Sequence, residues 1–207
     1  MAHILHIDSS PRGERSFSRL FSNEFISKWK NAHPEDTITY RDLGHNPVPP
    51  VDELWVAGAF TPPEVRPPEL AKGIELSDAL IDEFLAADRY VFGVPMFNLI
   101  APSTFKAYID QIVRIGRTFA QDNYGVIKGL VEGKKMLIIT ARGASYRPET
   151  PVAHLDFQEP YLRAIFGFIG ITDISFIHVD NLNMGDDVRQ QSLARAREEI
   201  ARTITTW

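Results

Sequence analysis

Serine hydroxyls and arginines cluster in a short segment that follows the first apolar run, His3–Ile7, of the chain. This segment, Asp8–Ser18, contains four serines and two arginines within eleven residues. Hydroxyl groups and the free N–H groups at a helix N-terminus bind phosphate, and Arg12 or Arg15 would add positive charge. The segment therefore predicts a phosphate site, with the alternative that Ser16 only caps a helix and the other serines are polar surface residues.

Two further loops could hold a flat ring. In the first, Met96, Phe97 and Leu99 offer apolar surface, and Asn98 presents both a donor and an acceptor to the edge of a heterocycle such as a flavin. The alternative is ordinary core packing.

The other ring-binding candidate is the segment 140–146, which reads TARGASY. Gly143 lets the backbone approach a ligand closely, Arg142 is a candidate anchor, and Tyr146 could cover a ring. The alternative is a turn without a ligand.

Several other chemistries do not fit the sequence. The chain has no cysteine, which excludes thiol catalysis, disulfides and Cys-ligated metals. Neither G-x-G-x-x-G, nor G-x-x-x-x-G-K-[ST], nor G-x-S-x-G is present, and the six histidines lack metal-ligand spacing, with His3 and His6 expected to be structural. No metal site is expected, and a cofactor is predicted to carry any difficult chemistry.

Charge and hydropathy limit the partners. With 22 Lys+Arg against 27 Asp+Glu, the formal net charge is −5, so no nucleic-acid partner is expected. The N-terminus soon becomes polar and basic, and no apolar run approaches the roughly 18 residues that span a bilayer. We therefore expect a soluble cytoplasmic protein without a membrane partner.

The elements that must position these loops follow from the alternation of short apolar runs with stretches of helical period. Strands are predicted at 3–7, 37–40, 90–94, 134–140 and 174–179, and helices around 17–29, 76–84, 103–114, 161–168 and 188–204. In the first helix Phe17, Phe21, Phe25 and Trp29 recur every fourth residue, with Leu20 expected on the same face.

Two connections stand out between these elements. The segment Leu43–Pro68 contains seven prolines and is predicted to lack regular structure, serving as a wall of the site, a subunit contact or a loose surface loop. The stretch Gly116–Gly133 is rich in turn residues and is interpreted as an insertion.

Five strands separated by helices predict an α/β fold, a flavodoxin-like or Rossmann-like three-layer sandwich with a five-stranded parallel sheet. We find no linker, so residues 1–207 are expected to form a single domain. Ligands of such sheets bind beyond the carboxyl ends of the strands, where the three loops described above are predicted to lie.

The motifs taken together resemble one enzyme family. The segment His6–Ser18 and the segments PMFNLIAPSTFKAYID, TARGASY and YLRAIFGFIGITDISFI are similar to segments of the FMN-dependent NADH:quinone oxidoreductases known as azoreductases, which have a flavodoxin-like fold. The resemblance extends over essentially the whole chain. The P-M-[YF]-N segment, the R-G turn and the G-F-I-G-I segment are specific to this branch.

The resemblance implies specific roles for individual residues. The FMN phosphate would contact Ser10, Ser16, Phe17 and Ser18. The isoalloxazine and ribityl chain would contact Pro95, Met96, Phe97, Asn98 and Leu99, and the pyrimidine edge would contact Thr140, Ala141, Arg142, Gly143 and Ala144. Asn98 and Gly143 would tune the ring, and no residue is expected to be a dedicated acid or base.

The chain departs from the family pattern at several of these positions. Phe97 and Leu99 replace the tyrosine and phenylalanine of M-Y-N-F, and Ala144 replaces the second glycine of S-R-G-G, whose serine is Ala141 here. Cofactor binding should survive these changes, whereas the substrate range becomes harder to predict.

The activity implied by the resemblance is a two-step one. NADH or NADPH would reduce FMN, and the reduced cofactor would pass two electrons to a quinone or an aromatic azo compound at the same site. Phe60, Phe119, Tyr124 and Tyr146 are candidate substrate walls, and the protein would be a homodimer with sites at its interface. The alternatives are an electron carrier of the same fold and a flavin-binding regulatory module.

Overall fold

Strands and helices alternate along the chain in the computed structural model, which describes all 207 residues. The strands are β1 His3–Asp8, β2 Thr37–Asp42, β3 Arg89–Pro95, β4 Phe119–Gln121, β5 Ile127–Gly129, β6 Lys135–Ala141 and β7 Asp173–Val179. The α-helices are α1 Phe17–Ala32, α2 Glu53–Phe60, α3 Pro68–Gly73, α4 Glu75–Ala86, α5 Ser103–Ile112, α6 Gln158–Phe168 and α7 Asp186–Thr206. No helix is long and apolar enough to cross a membrane.

Five of the strands form one sheet in the order β2-β1-β3-β6-β7, and every neighbouring pair is parallel. Ile4 of β1 is in register with Ile38 of β2 on one side and with Arg89 of β3 on the other. The predicted five-stranded parallel sheet is therefore confirmed.

Each central strand sends alternate side chains to opposite faces of the sheet. In β1, Leu5 and Ile7 pack with α4, α5 and α6, whereas Ile4 packs with α1 and α7. The same alternation separates Phe92 from Val91 in β3. Because strand side chains alternate with a period of two, helices must cover both faces, which gives three layers.

Helix α1 confirms most of the predicted periodicity. Phe21, Phe25 and Trp29 are buried against the sheet, but the prediction that Leu20 shares this face is wrong, since 46% of Leu20 is exposed. Leu20 precedes Phe21 by one residue and is therefore turned about 100° away from it around the helix axis.

The proline-rich segment is the main correction to the predicted elements. Leu43–Pro68 contains the two-turn helix α2 and the start of α3, in place of the irregular connection that its prolines predict. Asp52 caps α2 by accepting a hydrogen bond from the Trp55 backbone N–H at 2.8 Å. The prolines lie outside Glu53–Phe60, so none of them removes a helical hydrogen bond.

The turn-rich stretch between α5 and β6 forms a small antiparallel hairpin. Its strands β4 and β5 pair with each other and not with the main sheet. Gly129 lies directly against the backbone at Ile169 and Gly170, so this hairpin packs beside the end of α6.

Candidate active site

The strand order creates a crevice at one end of the sheet. From β1 the chain proceeds to β2 on one side, whereas β3 lies on the other side of β1 and leads on to β6. The connections that leave β1 and β3 therefore diverge, which is the arrangement that opens a binding crevice in parallel α/β sheets. The loops that begin after Asp8, Pro95 and Ala141 all lie at this end.

The first loop presents hydroxyl groups at the start of α1. The Ser16 side chain caps α1 by accepting from the Arg19 backbone N–H at 3.4 Å, and its hydroxyl lies 3.1 Å from that of Ser18. The Ser10 hydroxyl accepts from the Arg12 backbone N–H at 3.3 Å. Ser16 is therefore a cap, as the alternative interpretation has it, and it also belongs to a serine cluster at a helix N-terminus.

Arg19, in the first turn of α1, fixes the backbone of this loop by hydrogen bonds. Its guanidinium donates to the Ser10 carbonyl at 2.8 Å and makes two 2.8 Å bonds to the carboxylate of Asp42 at the end of β2. Burial alone would raise the pKa of Asp42, but the hydrogen bonds from Arg19 and His45 outweigh burial and hold that pKa well below its usual range. The loop is thus fixed by a charged pair with little exposure to solvent.

The second loop is a tight turn that projects two residues outward. The backbones of Phe97 and Ile100 exchange hydrogen bonds of 2.8 and 3.1 Å, and Asn98 and Leu99 between them have φ angles of 48° and 71°. Positive φ at both central residues is the pattern of a type I′ turn, which asparagine tolerates and leucine adopts at a cost of about 1–2 kcal/mol. Strain of this kind is often found at ligand-binding loops.

The third loop is tied to the second and to β7. The Met96 backbone N–H donates to the Ala141 carbonyl at 2.9 Å. The Thr140 hydroxyl and the His178 Nδ1 share a 2.8 Å hydrogen bond, and Thr140 is completely buried. The side chain of Arg142 is buried and forms a 2.9 Å ion pair with Asp156.

The three loops enclose a cleft of about 270 Å³. Its lining includes nine of the predicted cofactor residues, namely Ser10, Ser16, Phe17, Pro95, Met96, Phe97, Ala141, Arg142 and Gly143. Five other predicted cofactor residues do not line it: Ser18 lies fully buried beneath Ser16, Thr140 is buried, and Asn98, Leu99 and Ala144 lie outside the lining.

Sequence reasoning missed three residues of this cleft, Leu182, Asn183 and Arg189, which follow β7. The Asn183 backbone N–H donates to the Gly143 carbonyl at 3.0 Å, and a Cβ added to Gly143 would lie 2.7 Å from the Asn183 side chain. The available signal was the end of β7 itself, since every strand of a parallel sheet delivers a loop to the same edge.

Comparison with known proteins agrees with this architecture. A sequence profile described as the flavodoxin-like fold matches residues 2–204. The FMN-dependent NADH:quinone oxidoreductase 2 of Trichormus variabilis is 66% identical over 208 residues, which is 100% of both chains. The chain belongs to the family of FMN-dependent NADH:quinone oxidoreductases. The family and the flavodoxin-like fold predicted from the sequence are therefore confirmed.

Solved structures extend the comparison to azoreductases. An azoreductase from Bacillus anthracis str. Sterne superimposes with a TM-score of 0.91, at 30% identity and with all of both chains covered. An FMN-dependent NADH-azoreductase from Bacillus anthracis str. Ames Ancestor, in complex with FMN, gives a TM-score of 0.85 at 25% identity, with 99% of this chain and 100% of that chain covered. The electron-carrier alternative is not favoured by these relatives.

The four aromatic residues predicted as substrate walls lie away from the cleft of their own chain in this oxidoreductase. Phe60 lines a separate cavity of about 380 Å³, and Tyr146 lines another of about 650 Å³. Phe119 packs against Phe168 at 4.8 Å between ring centroids, and 93% of Tyr124 is exposed in the hairpin. Both cavities are larger than the cleft, but neither includes the serines of the first loop.

Proposed function

We propose that this protein is an FMN-dependent NAD(P)H oxidoreductase that reduces quinones by two electrons and reductively cleaves aromatic azo compounds to amines. The observation that carries the proposal is the single cleft in which a serine-rich helix N-terminus, a strained apolar turn and an arginine-glycine loop meet. Bound FMN would supply a carrier that takes a hydride from NAD(P)H and passes two electrons to the acceptor. The protein's own residues would bind, orient and shield that carrier.

The first loop has the chemistry of a phosphate site. The N-terminus of α1 offers unpaired N–H groups and a favourable dipole, and Arg12 and Arg189 add positive charge to the cleft lining. The proposal assigns the phosphate to Ser10, Ser16, Phe17 and Ser18, with Ser18 acting through its hydrogen bond to Ser16.

The remaining loops fit a flat ring. Apolar side chains of Met96 and Phe97 and the ring of Pro95 form one wall, and residues 141–143 form the other. Arg142 is part of this second wall, and its guanidinium is held by Asp156. Exposed Asn98 would approach the ring edge from the tip of its turn, beside Leu99. The residues present therefore suit FMN.

Substrate binding is proposed to require a second copy of the chain. Large apolar side chains are exposed in α2, in the segment after it and in the hairpin, among them Leu54, Val56, Phe60, Val65, Tyr124 and Val126, and we propose that they form one face. Exposed apolar patches are typical of interaction surfaces. In a homodimer this face, with Phe60, Phe119 and Tyr124, would close the partner's cleft, and Tyr146 would line its outer side.

The proposal treats residues 1–207 as one FMN-binding domain that acts in the cytoplasm, where NADH is available. Quinones and azo aromatics would be its acceptors. We propose no nucleic-acid partner and no membrane partner.

The decisive experiment follows the flavin absorbance under anaerobic conditions. FMN is added to the purified protein, followed by NADH or NADPH and then benzoquinone. We expect bleaching by the nucleotide and recovery with the quinone. Binding of FMN without bleaching would support an electron carrier, and failure to bind FMN would refute the assignment of the cleft.

Ser16→Ala tests the phosphate assignment separately. Loss of a capping and phosphate-binding hydroxyl should weaken FMN binding about tenfold, equivalent to about 1.4 kcal/mol. Riboflavin, which lacks the phosphate, should bind wild type and variant alike. Equal loss for both flavins would contradict the phosphate assignment.

A further inference from the structure

Gln158, the first residue of α6, is completely buried and connects two of the loops that form the cleft. Its Nε2 donates to the Val94 carbonyl at 3.2 Å, at the end of β3 and two residues before Met96. Its Oε1 accepts from the Nε of Arg142 at 3.2 Å. Both ends of the buried amide are therefore used between the second and third loops.

Asp156 fixes the same arrangement from the other side. Its Oδ1 accepts from the backbone N–H groups of Gln158 and Glu159, each at 3.1 Å, which caps the start of α6. Its Oδ2 accepts from the Nη1 of Arg142 at 2.9 Å. One carboxylate thus sets both the position of Gln158 and the direction of the Arg142 guanidinium.

The remaining nitrogen of Arg142 is left without a partner. Only 2% of Arg142 is exposed and the residue lines the cleft, yet its Nη2 makes no hydrogen bond. Arg142 also lines the neighbouring cavity of about 650 Å³, together with Asp156, so the residue forms part of the wall between that cavity and the cleft. The position of its side chain therefore shapes this side of the cleft.

We infer that Gln158 is a positioning residue for the flavin ring. It acts by fixing Arg142 and the loop after β3 in position relative to each other. Asp156 supports it and balances the charge of Arg142. The inference rests on the proposed function and adds residues outside the loops assigned to the cofactor. Gln158 does not line the cleft, so its effect must pass through Val94 and Arg142.

Gln158→Met tests this role, because methionine is similar in length but cannot form either hydrogen bond. We expect the dissociation constants of FMN and riboflavin to rise together by about tenfold, since the ring contacts are common to both flavins. The absorption maxima of bound FMN should also shift. Gln190→Met, at an exposed position of α7, is the matched control and should change neither.

Asp156→Asn provides a second measurement, the midpoint potential of bound FMN, which should not change if Asp156 had only a structural role. Asparagine keeps the helix cap but removes the negative charge beside Arg142. The uncompensated arginine should favour the more negative reduced flavin, so the midpoint potential of bound FMN should become more positive. If Gln158→Met fails to fold, this variant still tests whether the residues that hold Arg142 affect the bound flavin.

Unchanged flavin affinity and spectrum in Gln158→Met, or an unchanged potential in Asp156→Asn, would overturn the inference. The proposed function would stand in that case, provided that the wild type binds FMN and Ser16→Ala weakens its binding. If the wild type binds no FMN, the proposed function itself fails.

Discussion

Replacing Arg19 by methionine should destabilise the protein and weaken flavin binding at the same time. The Arg19 side chain is only 10% exposed, and its guanidinium makes the two hydrogen bonds to Asp42, whose side chain is 16% exposed. Removing one member of a buried ion pair costs about 3–5 kcal/mol when the other charge is left without a partner, whereas Asp42 keeps its hydrogen bonds from His45. Since this pair is not completely buried, we expect about 3 kcal/mol.

The loss of the Arg19 guanidinium should affect flavin binding in the cleft through one specific hydrogen bond. Arg19 also donates to the Ser10 carbonyl, so the variant removes a hydrogen bond that fixes the backbone of the phosphate loop. We expect the FMN dissociation constant to rise about tenfold. The assay combines urea unfolding at neutral pH with flavin fluorescence titration, and Arg202→Met, at an exposed position of α7, should stay within about 0.5 kcal/mol of the wild type.

The double variant Arg19→Met with Asp42→Asn separates a charge effect from a loss of packing. Removing the Asp42 carboxylate, which has lost its arginine in the single variant, should restore about 1–2 kcal/mol if the ion pair is the cause. The depressed pKa of Asp42 makes its contribution complete above its ordinary pKa of about 3.9 and progressively lost as the pH falls further, so Arg19→Met should flatten the acid limb of the stability curve. Additive single effects, or a stability equal to that of Arg202→Met, would refute this reasoning.

Three other substitutions probe strand β3 and helix α6. Gly93→Ala would place a Cβ 2.2 Å from the Asp8 Oδ1 and should cost about 1–3 kcal/mol in urea unfolding, whereas Gly167→Ala, with nothing within 4 Å, should stabilise α6 by about 0.5–1 kcal/mol. The hydrogen bond from His178 lowers the pKa of Glu159 to about 2, so its stabilising contribution is complete above about pH 4.3 and lost toward pH 2. Glu159→Gln should remove that part of the acid dependence of the unfolding temperature, and an unchanged pH profile would contradict it.

Local patterns in the sequence are enough to predict most of the elements. The apolar run of β6 is predicted to within one residue, and Phe21, Phe25 and Trp29 identify the buried face of α1. Helix α2 escapes prediction because proline density is averaged over Leu43–Pro68, although the capping residue Asp52 precedes an interval without proline. A cap is a stronger local signal than average composition.

The start of α6 escapes prediction for a different reason. Its first residues, Gln158 and Glu159, are polar, and the apolar period becomes visible only from Tyr161. Gln158 is nevertheless fully buried, because its amide is satisfied by groups from β3 and the loop after β6. A polar residue whose burial depends on distant partners gives no periodic signal in the chain.

The sequence by itself determined the parallel α/β architecture, the family and the three loops that approach the carboxyl edge of the sheet. These follow from local propensity, from the two-residue period of strands and from motifs that are contiguous in the chain. Only the tertiary structure decided that Arg142 is buried beside Asp156, that Leu182, Asn183 and Arg189 complete the cleft, and that Phe60 and Tyr146 line cavities other than the cleft of their own chain. Those features depend on which segments the strand order brings together. Contacts between residues that are far apart in sequence cannot be predicted from the local pattern of either segment alone.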